Sequence, residues 1–323
     1  MEAQVDVRKA VWSRYWSHGI AHSCGGSYGN RYDGSIAQFW RTHFEALPAG
    51  SCVLDIATGN GAVPQLLLDS AADTVACDAI DLADPAPRWI ADLAPHKQRQ
   101  VRFHGGHAAE SLPFPEDSFD LVTSQYGLEY TDLARSVPEI LRVLRPGGKV
   151  CLIVHHADAQ PLRLARTELE HLAWLHQPSG LLDTSLGMIE PMARSATEAG
   201  RTSLAADAHA NALRGRFNML QSEATRLAAS SNCPDVLVEV RLALAEVLNL
   251  AMGQGASAAG TAFAALAQQL ADSRVRLDEL CEFALDEAGA RRLGSLLGDD
   301  AATVRPIVDN AVQMGWGIEA RPC

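Results

Sequence analysis

The chain has 323 residues, of which 47% are hydrophobic and 20% are charged, and this is the composition of a globular protein. Its net charge is −12 with only three lysines, which argues against nucleic acid as the main partner. Membrane partners and secretion are not expected, because no apolar run is long enough to span a bilayer and MEAQVDVRKAVW lacks a signal-peptide core. A cytoplasmic location and seven free thiols follow, and the scattered cysteines predict no metal site.

The first 48 residues are rich in aromatic side chains. Residues 11–40, VWSRYWSHGIAHSCGGSYGNRYDGSIAQFW, contain three tryptophans and three tyrosines. Two interpretations are open: these side chains cap a sheet, or they form a helical lid that contacts a bound ligand. We expect segment 1–48 to be a lid, in which Trp12, Trp16 and Trp40 are core residues.

Strand-like and helix-like segments alternate between residues 49 and 158. Strands are predicted over 53–56, 74–80, 101–104, 119–124 and 149–155, with helices over 62–70 and 133–144. This alternation is typical of βαβ units, and nearly continuous apolar strands such as KVCLIVH are typical of strands that helices cover on both faces. We therefore predict an α/β fold with a doubly wound, mostly parallel sheet.

The second half of the chain changes character twice. Segment 159–290 is rich in Ala, Leu, Arg and Glu at helical spacing, whereas segment 291–323 returns to strand character with Asp309-Asn310 as a hairpin turn. We expect a large helical insertion and then two strands that complete a seven-stranded sheet. The insertion is either a cover over the substrate or a homodimer interface, and both roles are compatible.

The stretch VLDIATGNGAV, residues 53–63, is a strand, a glycine-rich turn and the start of a helix. Glycines allow a ligand to approach the backbone, and the ligand of such a sheet lies at the carboxyl ends of the strands. The acid at the end of the strand, Asp55, repels a phosphate and attracts an ammonium group. These residues therefore favour a nucleoside that carries an amino acid over a dinucleotide.

Four segments in this order resemble the class I S-adenosylmethionine-dependent methyltransferases, the UbiE-like branch in particular. They are VLDIATGNGA, AIDLAD, SLPFPEDSFDLVTSQYGLEY and EILRVLRPGGKVCLIV, and the resemblance covers about residues 30 to 156. It implies a Rossmann-like fold and S-adenosylmethionine as the cofactor. Another doubly wound nucleotide-binding protein is the alternative.

The resemblance implies roles for residues on the first two strands. Gly59 and Gly61 would face the methionine part of the cofactor, beside Ala57, where glycine is the commonest residue in the family. Asp55 would hold the ammonium group, directly or through water. Asp81 would accept the ribose hydroxyls.

Further cofactor contacts come from later segments. Leu82 would pack on adenine, and Asp78 is the rival of Asp81 for the ribose. His107 replaces the family's aspartate at the adenine amino group, and either its ring or the backbone of Ala108 would make that contact. Ser124, Gln125 and Tyr126 are implied to line the site after the fourth strand. Tyr32, from a Tyr-Asp pair, would touch the carboxylate end of the cofactor.

The catalytic group is left open. Methyl transfer needs alignment of the acceptor, and a base only where the acceptor is protonated. The candidate side chains lie after the predicted strands or in the lid, and they are His155, His156, Glu129, Tyr126, His18 and His22.

Three functions fit these features. The first is methyl transfer to a small, partly apolar molecule at oxygen or nitrogen. The second is methylation of a protein or peptide, and the third is regulation by a protein that binds S-adenosylmethionine without turnover.

Overall fold

The computed structural model describes residues 2–20, 32–298 and 302–322. The chain forms two compact units, Met1–Arg163 with Glu279–Cys323, and Leu164–Asp278. The first unit contains a seven-stranded sheet in the order β3-β2-β1-β4-β5-β7-β6. The strands are β1 (Cys52–Ile56), β2 (Ala76–Asp81), β3 (Val101–Gly105), β4 (Phe119–Gln125), β5 (Leu144–Val154), β6 (Thr303–Asp309) and β7 (Val312–Ala320).

The predicted fold class is confirmed. Strands β1 to β5 pair in parallel, and β7 runs antiparallel to both β5 and β6. The helices are α1 (Glu2–Ser17), α2 (Gly34–Glu45), α3 (Ala62–Ser70), α4 (Pro95–Gln98), α5 (Leu133–Val143), α6 (Gln160–Leu175), α7 (Leu181–Arg194), α8 (Glu198–Ala205), α9 (Ala208–Ser230), α10 (Asp235–Gln254), α11 (Ala256–Phe283) and α12 (Glu287–Leu296).

Alternate strand residues enter two cores, one on each face of the sheet. On β5, Cys151 and Ile153 lie in the core that contains residues of α2 and α3, whereas Leu152 and Val154 lie in the core that contains residues of α5 and α12. All four side chains are fully buried. The apolar run of β5 is continuous because both faces of the strand are buried, as the sequence predicted.

Two local features refine the predictions. Strand β5 begins at Leu144 rather than at residue 149, because the RPGG segment extends the pairing with β4 across a register shift. The hairpin between β6 and β7 turns on Asn310 and Ala311, with φ of 47° and 65°. Two positive φ values match the right-handed twist of the flanking strands, so the predicted turn is one residue farther along the chain.

The second unit is helical. Along α10, Leu237, Val240, Leu244 and Leu248 are buried at helical spacing, and they pack in two apolar clusters with residues of α7, α9 and α11. Within the described ranges, no helix has the length and apolar character that crossing a membrane requires.

Candidate functional site

A cavity of about 270 Å³ lies in the first unit at the carboxyl ends of β1, β2 and β4. Its wall also includes the loop after β3 and one side of α1. This position is the usual ligand site of an open parallel sheet. Nine of the predicted cofactor residues line the cavity, namely Tyr32, Asp55, Ala57, Gly59, Asp81, Leu82, His107, Ala108 and Gln125.

The turn after β1 adopts the conformation that its glycines predict. Gly59 and Gly61 have φ of 54° and 82°, and Ala57 also has a positive φ of 54°. This conformation explains why glycine is favoured at position 57 and why alanine there is strained. A Cβ atom on Gly59 would lie 2.6 Å from the ring of Trp16, so glycine allows α1 to approach the turn.

Gly61 and Ser124 lie outside the cavity wall. Gly61 precedes α3, and its Cα faces the rings of Phe103 and Trp89. The Ser124 hydroxyl oxygen accepts a hydrogen bond of 3.2 Å from the Leu128 amide. Both residues therefore shape the elements around the cavity in this structure.

Asp81 connects the first two strand ends. Its Oδ2 accepts a hydrogen bond of 2.7 Å from the Gly59 amide, and its Oδ1 accepts one of 2.8 Å from the Ala83 amide. The side chain is buried, and burial raises its pKa to about 6. Two backbone bonds thus hold a carboxylate in the cavity wall.

Asp78 has a different environment from its rival Asp81. Its carboxylate accepts two hydrogen bonds from Arg102, of 2.9 and 2.7 Å, and lies 2.7 Å from His104 Nε2. The hydrogen bonds from these two side chains lower its pKa although burial raises it. Asp78 is not part of the cavity wall, so its geometry favours a structural ion pair.

Gln125 Nε2 is a buried polar atom in the cavity wall that lacks a partner among the described residues. Asp55 Oδ2 and Thr58 Oγ1 make no hydrogen bond of ordinary length to a described residue, although the Thr58 hydroxyl faces the Asp55 carboxyl group closely enough to lower its pKa. The other Asp55 oxygen accepts a hydrogen bond of 2.7 Å from Thr123, and burial raises the Asp55 pKa to about 7. Buried polar groups without partners are costly, so this part of the wall is suited to a polar ligand.

The loop after β3 brings His107 and Ala108 to the cavity. The His107 amide donates a hydrogen bond of 3.0 Å to the Asp81 carbonyl oxygen. The rings of His104 and His107 are 6.3 Å apart. Within the part of the chain that the structure describes, no group of three or more His, Cys, Asp or Glu side chains is arranged for a metal ion.

The structure brings two catalytic candidates together. Glu129 Oε1 lies 2.8 Å from His155 Nδ1 and also accepts a hydrogen bond of 2.9 Å from the His155 amide. The His155 ring stacks on Tyr126 at 4.2 Å and lies edge-on to Tyr130. Both tyrosines line the cavity, whereas Glu129 and His155 lie behind them.

The other candidates are less close to the cavity. His156 stacks on Trp316 at 4.3 Å, and its Nδ1 accepts a hydrogen bond from the Asp158 amide. His18 is exposed on the segment after α1 and is not part of the cavity wall. His22, like Tyr28, lies outside the described residues.

Helix α1 contributes site residues that the sequence did not identify. Arg8, Lys9, Trp12 and Trp16 line the cavity, so the expectation that Trp12 and Trp16 are only core residues is incomplete. Arg8 Nε donates a hydrogen bond of 2.7 Å to Glu279, more than 250 positions away. No local sequence signal could have indicated this contact.

Asn60 fixes the end of α1 to the glycine-rich turn. Its Nδ2 donates hydrogen bonds of 2.9 and 2.7 Å to the carbonyl oxygens of Trp16 and Ile20. Its Oδ1 accepts a hydrogen bond of 2.7 Å from the Ala86 amide. One side chain thus joins α1, the β1 turn and the segment after β2.

The first unit includes a segment that matches a known protein family. The family described as "Methyltransferase domain" matches residues 54–152. The chain is 33% identical over 142 residues to the uncharacterized methyltransferase YcgJ of Bacillus subtilis, a match that covers 43% of this chain and 54% of that protein. It is 32% identical over 146 residues to the ubiquinone/menaquinone biosynthesis C-methyltransferase UbiE of a Marinomonas species. This match covers 42% of this chain and 57% of that protein.

Among solved structures, the chain is similar to the crystal structure of YcgJ from the same Bacillus. The identity is 30%, the match covers 43% of this chain and 58% of that one, and the TM-score is 0.32. The chain therefore spans little more than half the length of these relatives.

Proposed function

Because residues 54–152 form a methyltransferase domain, we propose that the protein transfers a methyl group from S-adenosylmethionine to a small, partly apolar molecule. The observation that carries the proposal is the cavity at the strand ends of this domain, lined by Asp55, Gly59 and Asp81. S-adenosylmethionine supplies a methyl group on a sulfonium, which is already activated for attack. The chain has to bind it, orient the acceptor and exclude water.

The wall of the cavity fits this cofactor. Asp55 Oδ2 is a buried acceptor, and Gln125 Nε2 is a buried donor without a described partner, as the ammonium and carboxylate of a methionine moiety require. Asp81 presents a carboxylate held by two backbone amides, which suits a ribose diol. The apolar side chain of Leu82 lines the same wall and would contact adenine.

The aromatic side chains support a small acceptor. Trp12, Tyr126 and Tyr130 line the cavity together with Arg8. Flat apolar rings with single polar groups bind small, partly apolar molecules. Two of the relatives are named methyltransferases, and the name of one refers to ubiquinone/menaquinone biosynthesis. We favour a ring-bearing acceptor, with methylation at oxygen or nitrogen, for this chain.

The Glu129–His155 pair is the best placed of the candidate bases. A carboxylate that accepts the Nδ1 hydrogen leaves Nε2 of the imidazole as the basic nitrogen. His155 is buried outside the cavity wall, in contact with the rings of Tyr126 and Tyr130, which line the cavity. Glu129 would hold the tautomer and His155 would take the proton.

The proposal is tested by following the methyl group. The protein is incubated with S-adenosylmethionine labelled in the methyl group and with a cell extract divided by ultrafiltration into small molecules and proteins. We expect label in the small-molecule fraction, with Asp81→Ala as the blank. Label in the protein fraction would instead identify a protein methyltransferase. Binding of S-adenosylmethionine without transfer to either fraction would identify a regulatory protein.

A further inference from the structure

Gln125 is the last residue of β4, and the two polar atoms of its side-chain amide have different surroundings. Trp40 Nε1 donates a hydrogen bond to Gln125 Oε1. Trp40 is fully buried on α2, and Gln125 is 8% exposed. The two residues are 85 positions apart, so the contact depends on the packing of α2 against the sheet.

The chemistry of tryptophan determines how this amide is turned. The indole N–H is a donor only, so the atom of Gln125 that faces it must be the carbonyl oxygen. The amide nitrogen therefore points away from Trp40. It has no partner among the residues that the structure describes, and Gln125 lines the cavity.

The neighbours of Gln125 identify the part of the ligand that it faces. Strand β4 pairs with β1 so that Thr123 is level with Asp55 and Ser124 with Ile56. Gln125 is therefore level with the start of the glycine-rich turn, on the β4 side of β1. Asp81 lies on the β2 side, where the ribose is proposed to bind.

We propose that Gln125 Nε2 donates a hydrogen bond to the carboxylate of the cofactor's methionine moiety, and that Trp40 is the positioning residue that turns the amide toward it. This inference rests on the proposed function. The ammonium of the same moiety lies against Asp55, so the acceptor and the donor of the wall match the two charges of one amino acid.

Calorimetry with two ligands tests the proposal. S-adenosylmethionine and its decarboxylated form, S-adenosylmethioninamine, differ only by the carboxylate. A hydrogen bond to a charged group predicts that the wild type binds the first at least about tenfold more tightly. In Gln125→Ala this preference falls by about tenfold. In Gln125→Glu the Trp40 bond keeps its acceptor, but a second carboxylate faces the ligand, so the preference is lost or reversed.

The role of Trp40 is tested by removing only its N–H group. Replacing Trp40 with benzothienylalanine keeps the shape of the ring. It should lower the preference for S-adenosylmethionine over the decarboxylated form toward the value of Gln125→Ala, and Trp40→Phe should lower it as well. Gln65→Glu and Trp316→Phe are matched controls, because Gln65 is equally buried outside the cavity wall and Trp316 Nε1 donates to the Leu285 carbonyl oxygen. Both controls keep the wild-type ratio.

This design distinguishes failure of the inference from failure of the proposed function. A wild-type ratio in both Gln125 variants overturns the contact with the carboxylate, while binding of S-adenosylmethionine leaves the proposed function standing. An unchanged ratio in the benzothienylalanine variant overturns the role of Trp40. If the wild type binds neither ligand, the proposed function itself fails.

Discussion

Asp81 and Asp78 lie on the same strand, β2, and substitution of each tests which of them binds the ribose. We predict that Asp81→Ala weakens binding of S-adenosylmethionine by about 2–3 kcal/mol, because a charged acceptor of two ribose hydroxyls is lost. Isothermal titration calorimetry measures this change. Asp78→Ala is the matched control on β2. It removes the contacts with Arg102 and His104, so it should lower the thermal stability of the protein and leave the affinity for S-adenosylmethionine unchanged. Loss of affinity in the Asp78 variant alone would show that the ribose lies elsewhere.

The two buried carboxyl groups of the cavity predict a pH dependence of stability. Burial raises the pKa of Asp55 to about 7 and that of Asp81 to about 6, from an ordinary value of 3.8. The folded chain therefore retains protons that the unfolded chain releases. This contribution to the free energy of unfolding is complete below the ordinary pKa, and it is lost as the pH rises through the raised values. Chemical unfolding of Asp55→Asn should show a smaller loss between about pH 4 and pH 7.

Cofactor affinity should depend on pH in the opposite direction. An ammonium group binds the ionised form of Asp55, so affinity falls as the pH falls below about 7. We expect up to about a tenfold loss per pH unit in the wild type, measured by calorimetry, and a shallower slope in Asp55→Asn. Asp120→Asn is the control, because Asp120 pairs with Arg145 outside the cavity wall. A wild-type slope in Asp55→Asn would exclude Asp55 as the ammonium ligand.

Helix α1 forms one side of the cavity wall. Arg8 donates hydrogen bonds of 2.7 Å to Glu279 and to the Tyr130 carbonyl oxygen, and its guanidinium lies 5.2 Å from the Phe283 ring centroid. The Arg8 and Glu279 side chains are 17% and 9% exposed, so this ion pair is more shielded from solvent than a surface pair. The pair fixes the first half of α1, as Asn60 fixes its end.

We predict that Arg8→Met releases the cofactor several-fold faster, because the variant keeps the packing on Phe283 and removes both hydrogen bonds. Stopped-flow tryptophan fluorescence measures release, since Trp12 and Trp16 line the cavity. Arg291→Met removes an exposed ion pair on α12 and should leave the rate unchanged. An unchanged rate in Arg8→Met would mean that this ion pair does not hold the helix closed.

Deletion of residues 1–28 tests the whole lid. We expect the shortened chain to fold and to retain part of its cofactor affinity, because the sheet and its two cores do not depend on α1. Methyl transfer should be lost with the aromatic wall, and the labelled-methyl assay measures this. Transfer at the wild-type rate would show that residues 1–28 are not needed as a lid.

Elements whose signal is local could be predicted from the sequence, and contacts across the fold could not. The glycine-rich turn after β1, the apolar strands and the hairpin each arise from neighbouring residues with a defined backbone requirement. The pairing of Glu129 with His155 joins two candidates that the sequence could only name separately. The Trp40 bond to Gln125 and the position of α1 depend on how whole elements pack, which no local pattern encodes.

At the scale of the whole molecule, the helical unit Leu164–Asp278 carries most of the exposed large apolar side chains within the described ranges. Val238 and Leu242 are 40% and 63% exposed, and they lie one turn apart on α10. Exposed apolar side chains on one helix face are typical of an interaction surface. The role of this unit, as substrate cover or as homodimer interface, remains a prediction.

We predict a homodimer that depends on this helix face. Leu242→Glu places a charge on it and should shift the protein to monomers, which sedimentation equilibrium measures. Glu198→Ala changes an exposed charge on a different helix, α8, and is the control. A monomeric wild type at all accessible concentrations would favour the substrate cover.

A crystal structure with S-adenosylhomocysteine, the demethylated cofactor, tests the central claim most directly. The account predicts that this ligand occupies the cavity at the ends of β1, β2 and β4, with the ribose hydroxyls on Asp81, the ammonium on Asp55 and the carboxylate on Gln125. The same compound bound away from these strand ends, with the cavity free of it, would contradict the account.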